Sequence, residues 1–193
     1  MTAARILLLP GWQNSGPAHW QSLWERQWGY ERLQQDDWWW PRRGDWMARL
    51  QDSLLADERP TVLVAHSLGC HLVSAWASHA ADTSRVVAAL LVAPPDLSRA
   101  DLPPQLQAWA GPHHPGPATL PFACTAVLSS NDPFCEPMRG LQMAAAWGAH
   151  IETIGACGHI NGDSGLGDWP DGQAILQALI QRAGQQPGST TNP

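Results

Sequence analysis

The sequence predicts an α/β fold: a compact, mostly parallel six-stranded sheet with helices on both faces and no large cap domain. Three observations carry this. Short runs rich in leucine and β-branched residues recur along the chain, at 6–9, 61–65, 86–93 and 125–129. They are apolar at successive positions, as strands covered on both faces must be. Between them lie segments with apolar residues at helical spacing, and regular strand–helix alternation is the mark of a parallel sheet. The 193 residues suffice for one domain with a sizeable core.

Taken in order, residues 6–9 form the first strand, which ends at Pro10-Gly11. A helix follows, with Pro17 in its first turn and Trp20, Leu23, Trp24 and Gln27/Trp28 at helical spacing. Residues 30–35 are so polar that they fit only a strand at or near a sheet edge. From Asp45 a second helix places Trp46, Met47, Leu50 and Leu54 on one face. Pro60 closes the connection, and TVLVA at 61–65 is a fully buried strand. Leu68, Leu72, Val73, Trp76 and Ala80 mark the helix that follows directly. Residues 86–93 form another buried strand, stopped by Pro94-Pro95. Residues 125–129 precede a helix carrying Met138, Leu141 and Ala145, and 151–154 is the last strand. Ile175, Leu176, Leu179 and Ile180 define the final helix.

One domain is therefore expected over residues 1–183, with a disordered, aperiodic tail at 184–193. The proline-rich stretch 94–121 contains a short amphipathic piece around 102–109. It is too short for a cap domain and reads as a small flap beside a strand end, where α/β sheets bind ligands.

Composition excludes several function classes. The formal net charge is −6 with no basic run, so nucleic acid has no electrostatic footing as a partner. All 11 basic side chains are arginine, which removes Schiff-base chemistry and a phosphate-loop lysine. No stretch approaches the roughly 20 apolar residues that span a bilayer. The run at 6–9 is too short for a secretion signal. A cytoplasmic location without membrane insertion is the expectation. Cys70, Cys124, Cys135 and Cys157 lack metal-type spacing and read as free thiols. No His-Glu-x-x-His or Cys-x-x-Cys occurs, so neither a metal nor another cofactor is expected. Oligomeric state is not readable.

The chemistry-bearing signal is Ala65-His66-Ser67-Leu68-Gly69, set between a buried strand and an amphipathic helix. A nucleophile elbow needs that context, because its sharp turn strains the serine backbone and demands small flanking residues. Ala65 stands where glycine is usual, and Gly69 keeps the second small position. Such a turn exposes the Ser67 hydroxyl and sets the Leu68 N–H at a helix N-terminus as an oxyanion donor. The loop after the first strand, Gly11-Trp12-Gln13-Asn14, is the source of a second donor, with the Trp12 amide first and Gln13 second. Pro10-Gly11 is also explicable as a plain turn.

Serine needs a base near neutral pKa, and the base needs an orienting acid. Asp132 follows the strand at 125–129 and His159 follows the strand at 151–154, so both arrive at strand carboxyl ends in the order Ser, Asp, His. Asp163 is the alternative acid. His66 reads as a structural or pocket-wall group and not as the base, His71 and His79 read as structural groups, and His113-His114 read as exposed flap residues, with contact to substrate as the alternative. Trp12 and Trp169 neighbour the site and could line an apolar acyl pocket together with Gln13.

These residues resemble the small retinoblastoma-binding-protein-9-like serine hydrolases, which include the bacterial YdeN-like proteins. The resemblance runs from Leu7 to Leu179. It is carried by Pro10-Gly11-Trp12 with Ser15-Gly16-Pro17 and His19-Trp20, by the elbow, by Ser129-Ser130-Asn131-Asp132-Pro133, and by Gly158-His159-Ile160-Asn161. Ser164-Gly165-Leu166-Gly167 and Trp169-Pro170 extend the last segment. It implies a compact α/β-hydrolase domain with Ser67, Asp132 and His159 as the triad. The expected substrate is a small-molecule acyl compound: a carboxylic ester first, with amide and thioester open. Transfer to an acceptor other than water also stays open. The rival expectation from another class is a catalytically idle protein-binding module on the same fold.

Overall fold

The computed structural model describes residues 4–110 and 119–185. His113, His114 and residues 186–193 of the expected tail lie outside it; Gly184 and Gln185, which the sequence assigns to that tail, are still helical.

Six strands form one sheet: β1 (Arg5–Leu9), β2 (Glu31–Arg32), β3 (Thr61–His66), β4 (Val86–Val92), β5 (Ala123–Leu128) and β6 (His150–Thr153). Their order is β2-β1-β3-β4-β5-β6, and every neighbouring pair is parallel. The helices are α1 (Trp20–Trp28), α2 (Arg43–Leu55), α3 (Leu68–His79), α4 (Pro137–Ala146) and α5 (Pro170–Gln185).

Side chains alternate across a strand, and the two sheet faces collect different helices accordingly. Leu7, Leu9, Leu63, Ala65, Ala89 and Leu91 pack with Trp46 and Leu50 of α2, Leu72 and Trp76 of α3, and Met143 of α4. Leu8, Val62, Val64, Ala88, Leu90 and Val92 pack with Trp20 and Trp24 of α1 and Leu176 and Leu179 of α5. Continuous apolar runs are thus required, since both neighbours of each central residue are buried.

The edge strand is shorter than expected, two residues instead of six. Arg32 bonds away from the ladder, into the loop after β1 and helix α1: it donates to the Asn14 side chain at 2.9 Å, the Ser15 carbonyl at 3.0 Å and Ser22 Oγ at 2.6 Å. Helix α1 begins at Trp20, so Pro17 lies in the turn before it. His19 is its N-cap, accepting the Gln21 N–H through Nδ1 at 3.1 Å. The amphipathic flap piece is a 3₁₀ segment, Pro104–Trp109, pinned by buried Leu106 and Trp109.

The chain runs from β1 outward to β2, then returns past β1 to β3. This reversal opens a crevice at the carboxyl ends of β1 and β3, the place where open α/β sheets hold ligands. Among the described residues no helix is long and apolar enough to cross a membrane.

Candidate active site

Ser67 sits between β3 and α3 with φ +55° and ψ −123°, a conformation that costs an L-residue about 1–3 kcal/mol. Its own N–H is tied to the Val92 carbonyl at 2.9 Å, so the strained turn is anchored to the neighbouring strand. The tight packing explains the small residues. A Cβ on Gly69 would collide with the Leu9 carbonyl oxygen, and a Cβ on Gly11 would lie 2.7 Å from Ser67 Cβ. Ala65 is fully buried within β3, in register with Leu9 and Leu91, where a single methyl fits the sheet–helix core.

The loops after β5 and β6 bring the other two groups in. His159 Nε2 lies 2.9 Å from Ser67 Oγ, and its Nδ1 lies 2.9 and 3.0 Å from the two Asp132 carboxylate oxygens. A carboxylate can only accept, so Nδ1 carries the proton and Nε2 presents its lone pair to the Ser67 hydroxyl. Side-chain exposure is 9% for His159 and 4% for Asp132, which shields this pair from water. Asp163 takes no part in it. That residue is exposed in a 3₁₀ turn (Gly162–Ser164) capped by Asn161.

Ser67 and His159 line a cavity of about 570 Å³. Its apolar wall comes from Trp12, Leu68, Leu102, Leu106 and Phe134, and its polar end from Gln13, Asn14, Asn161 and Asp163. The flap therefore contributes to the site through Leu102 and Leu106. Arg99 is the cation at this wall, and it is engaged by Asp101 and the Pro133 carbonyl. Among the described residues no group of three or more His, Cys, Asp or Glu is placed to hold a metal ion.

The structure sorts the remaining expectations. The Leu68 N–H opens α3, where first-turn amides lack helical partners. The Gln13 backbone N–H donates to the Trp38 carbonyl at 3.0 Å and is therefore turned away from an oxyanion at Ser67. Gln13, at φ +66°, still lines the cavity. Trp169 does not. Its ring stacks on Trp24 at 6.0 Å and meets Trp20 edge-on at 5.1 Å, 3% exposed in the α1–α5 layer. Closeness in sequence to His159 does not bring Trp169 to the site, because Trp169 packs with Ile160, Trp20, Trp24 and Leu176 in the core on the α1–α5 side of the sheet.

Two histidines behind the triad are neutral. Burial holds His19 at about 3, and burial likewise pulls His66 well below the ordinary imidazole value. The thiols are all free, with burial raising Cys124 and Cys135 to about 11. Leu102 and Leu106 belong to the amphipathic piece that the sequence places in a flap near the site, whereas Phe134 carries no sequence signal: an aromatic in a loop gains meaning only from what it faces.

A family model described as serine hydrolase matches residues 6–178. Among solved structures, a protein described as a YdeN-like hydrolase from Pectobacterium atrosepticum superposes with a TM-score of 0.82 at 24% identity, covering 93% of this chain and 92% of that one. The ydeN gene product of Bacillus subtilis gives 0.73 at 20% identity, covering 93% and 100%. The carboxylesterase CesB of Bacillus subtilis gives 0.59 at 14% identity, covering 94% and 84%. No curated protein matches.

Proposed function

Since the chain belongs to the serine hydrolase family, matched over residues 6–178, we propose that it cleaves a small acyl substrate, a carboxylic ester first, through an acyl-Ser67 intermediate. The observation that carries this is the unbroken line from Ser67 Oγ through the His159 ring to Asp132, with both of its hydrogen bonds at 2.9 Å.

Ser67 Oγ attacks the substrate carbonyl carbon while its proton passes to His159 Nε2. Asp132 holds the Nδ1–H tautomer and stabilises the imidazolium that forms. The carbonyl oxygen, now an oxyanion, takes hydrogen bonds from the Leu68 and Trp12 amides, and the α3 N-terminus favours its charge. Collapse expels the leaving alkoxide, which takes the proton from Nε2. A water then attacks the acyl carbonyl, giving its proton to His159, and the carboxylic acid leaves as Ser67 recovers its own. Amide and thioester substrates fit the same steps.

The apolar wall of Trp12, Leu102, Leu106 and Phe134 supports an uncharged acyl group of modest size in the cavity of about 570 Å³. The strain at Ser67 supports catalysis over an idle binding role, since a pure scaffold gains nothing from that backbone conformation. A fluorophosphonate probe should label the wild type and spare Ser67→Ala. Turnover of matched ester, amide and thioester panels then ranks the leaving groups. A folded wild type that neither labels nor turns over any of them would leave the binding role as the better account.

A further inference from the structure

The base sits on a segment that does not hold its own shape. Gly158 has φ +56° and Ile160 φ +49°, so His159 lies between two left-handed residues, one of them β-branched. Such a segment keeps its conformation only where its surroundings fix it. Three side chains do so on consecutive residues. The Gly158 N–H donates to Asn131 Oδ1 at 2.7 Å, His66 Nε2–H donates to the His159 carbonyl at 2.9 Å, and Trp20 Nε1–H donates to the Ile160 carbonyl at 2.8 Å.

The sources of the first two bonds matter. Asn131 immediately precedes the acid, and His66 immediately precedes the nucleophile. Each strand end that delivers one triad member therefore also grips the backbone of the base. Asn131 Oδ1 takes a second bond from Ser129 Oγ at 3.0 Å, and Ser129 Oγ accepts the Cys157 N–H at 2.9 Å, which knits the β5 and β6 loops together. His66 is buried against His19, with ring centroids 4.6 Å apart. Because a carbonyl only accepts, its Nε2 must carry the proton.

Resting on the triad reading above, we propose that His66 and Asn131 are positioning residues that set where the His159 ring stands relative to Ser67 and Asp132. A displacement on the ångström scale at a reacting group costs about 10²-fold in rate. For Asn131 the loss falls on kcat alone, because Asn131 does not line the cavity that takes the acyl group, whereas His66 does.

Full-length Asn131→Ala and His66→Leu should each lose about 10²-fold in kcat on a chromogenic short-chain ester, with KM unchanged in Asn131→Ala. Their fluorophosphonate labelling should slow in proportion, and the downfield proton resonance of His159 Nδ1–H should weaken. Asn131→Asp keeps an acceptor for Gly158, and His66→Gln keeps an amide donor for His159; on the alkaline plateau both should recover most of the rate. The Asn131 pair decides the matter should buried His66→Leu fail to fold, because Asn131 is exposed. Wild-type kcat in Asn131→Ala overturns the proposal, as does loss that the conservative variants do not restore. A wild type that never labels overturns the hydrolase reading itself, which separates the two failures.

Discussion

Gly11 lies directly against Ser67: a Cβ placed on it would come within 2.7 Å of Ser67 Cβ and 3.1 Å of Ser67 Oγ. The loop after β1 and the elbow after β3 thus meet without room for a methyl group, at the point where strand order reverses. Gly11→Ala should push the Ser67 side chain off its line to His159 and lower kcat/KM by roughly 10²-fold while the protein stays folded. Gly69→Ala differs in kind. Its methyl meets the backbone carbonyl of Leu9, which cannot rotate away, so it should cost about 3 kcal/mol of stability. Urea denaturation beside steady-state kinetics separates the two, and a normal midpoint for Gly69→Ala would contradict the packing described.

Asp132 and Asp163 make opposite predictions. Asp132 bonds His159 Nδ1 through both carboxylate oxygens, whereas Asp163 is exposed in its capped turn. Asp132→Asn offers Nδ1 an amide that can force the wrong tautomer, and kcat should fall by about 10⁴-fold with the fold intact. Asp163→Asn should keep kcat within about twofold. Equal losses in the two variants would mean that the acid is shared or misassigned.

How much of this was legible depended on whether a residue's meaning is local. The buried strands could be read because Val62, Leu63 and Val64 face apolar layers on both sides, and no other element needs that run. Ser67, Asp132 and His159 could be read because each follows a strand, and a parallel sheet delivers every strand's carboxyl end to one edge. Trp169 could not be placed, since the turn between it and His159 has no periodic signature. The grip of His66 and Asn131 on the base also escaped the sequence, because a histidine at a strand end and an asparagine in a loop say nothing about which backbone group they reach. The short β2 belongs to the same class: only the structure shows Arg32 drawn to Asn14, Ser15 and Ser22.

Stability should fall with acid well before the carboxylates titrate. Burial holds His19 at about 3 and His71 at about 4, and pulls His66 down as well, each from an ordinary value of 6.5. In the unfolded chain these groups take up protons below about pH 6.5, whereas the native state stays unprotonated until its own lower values. The unfolded state therefore binds more protons as pH falls, and native stability declines by up to about 1.4 kcal/mol per histidine per pH unit. The full contribution is present above 6.5 and is lost between 6.5 and about 4 for His71, and on to about 3 for His19. His71→Gln keeps a donor for the Pro95 carbonyl, which His71 Nε2 meets at 2.7 Å, but cannot titrate. Urea midpoints across this range should show its pH slope reduced by about a third. An unchanged slope would mean that His71 is protonated in the native state.

Phe134 tests the acyl side of the site. Its ring lines the cavity and meets the His159 ring edge-on, with centroids 4.7 Å apart, while Arg99 lies over it at 5.9 Å. It is nevertheless 46% exposed, so little core packing depends on it. Phe134→Ala removes apolar wall without disturbing the relay, and an aromatic contact of this kind is worth about 1–1.5 kcal/mol. KM for an ester with an apolar acyl chain should therefore rise about tenfold, with kcat within about threefold and thermal stability nearly unchanged. The rise should shrink as the acyl chain is shortened to acetyl, since fewer methylenes reach the lost surface. If kcat falls instead while KM holds, the Phe134 ring acts by steadying the imidazole of His159 and not by holding the substrate.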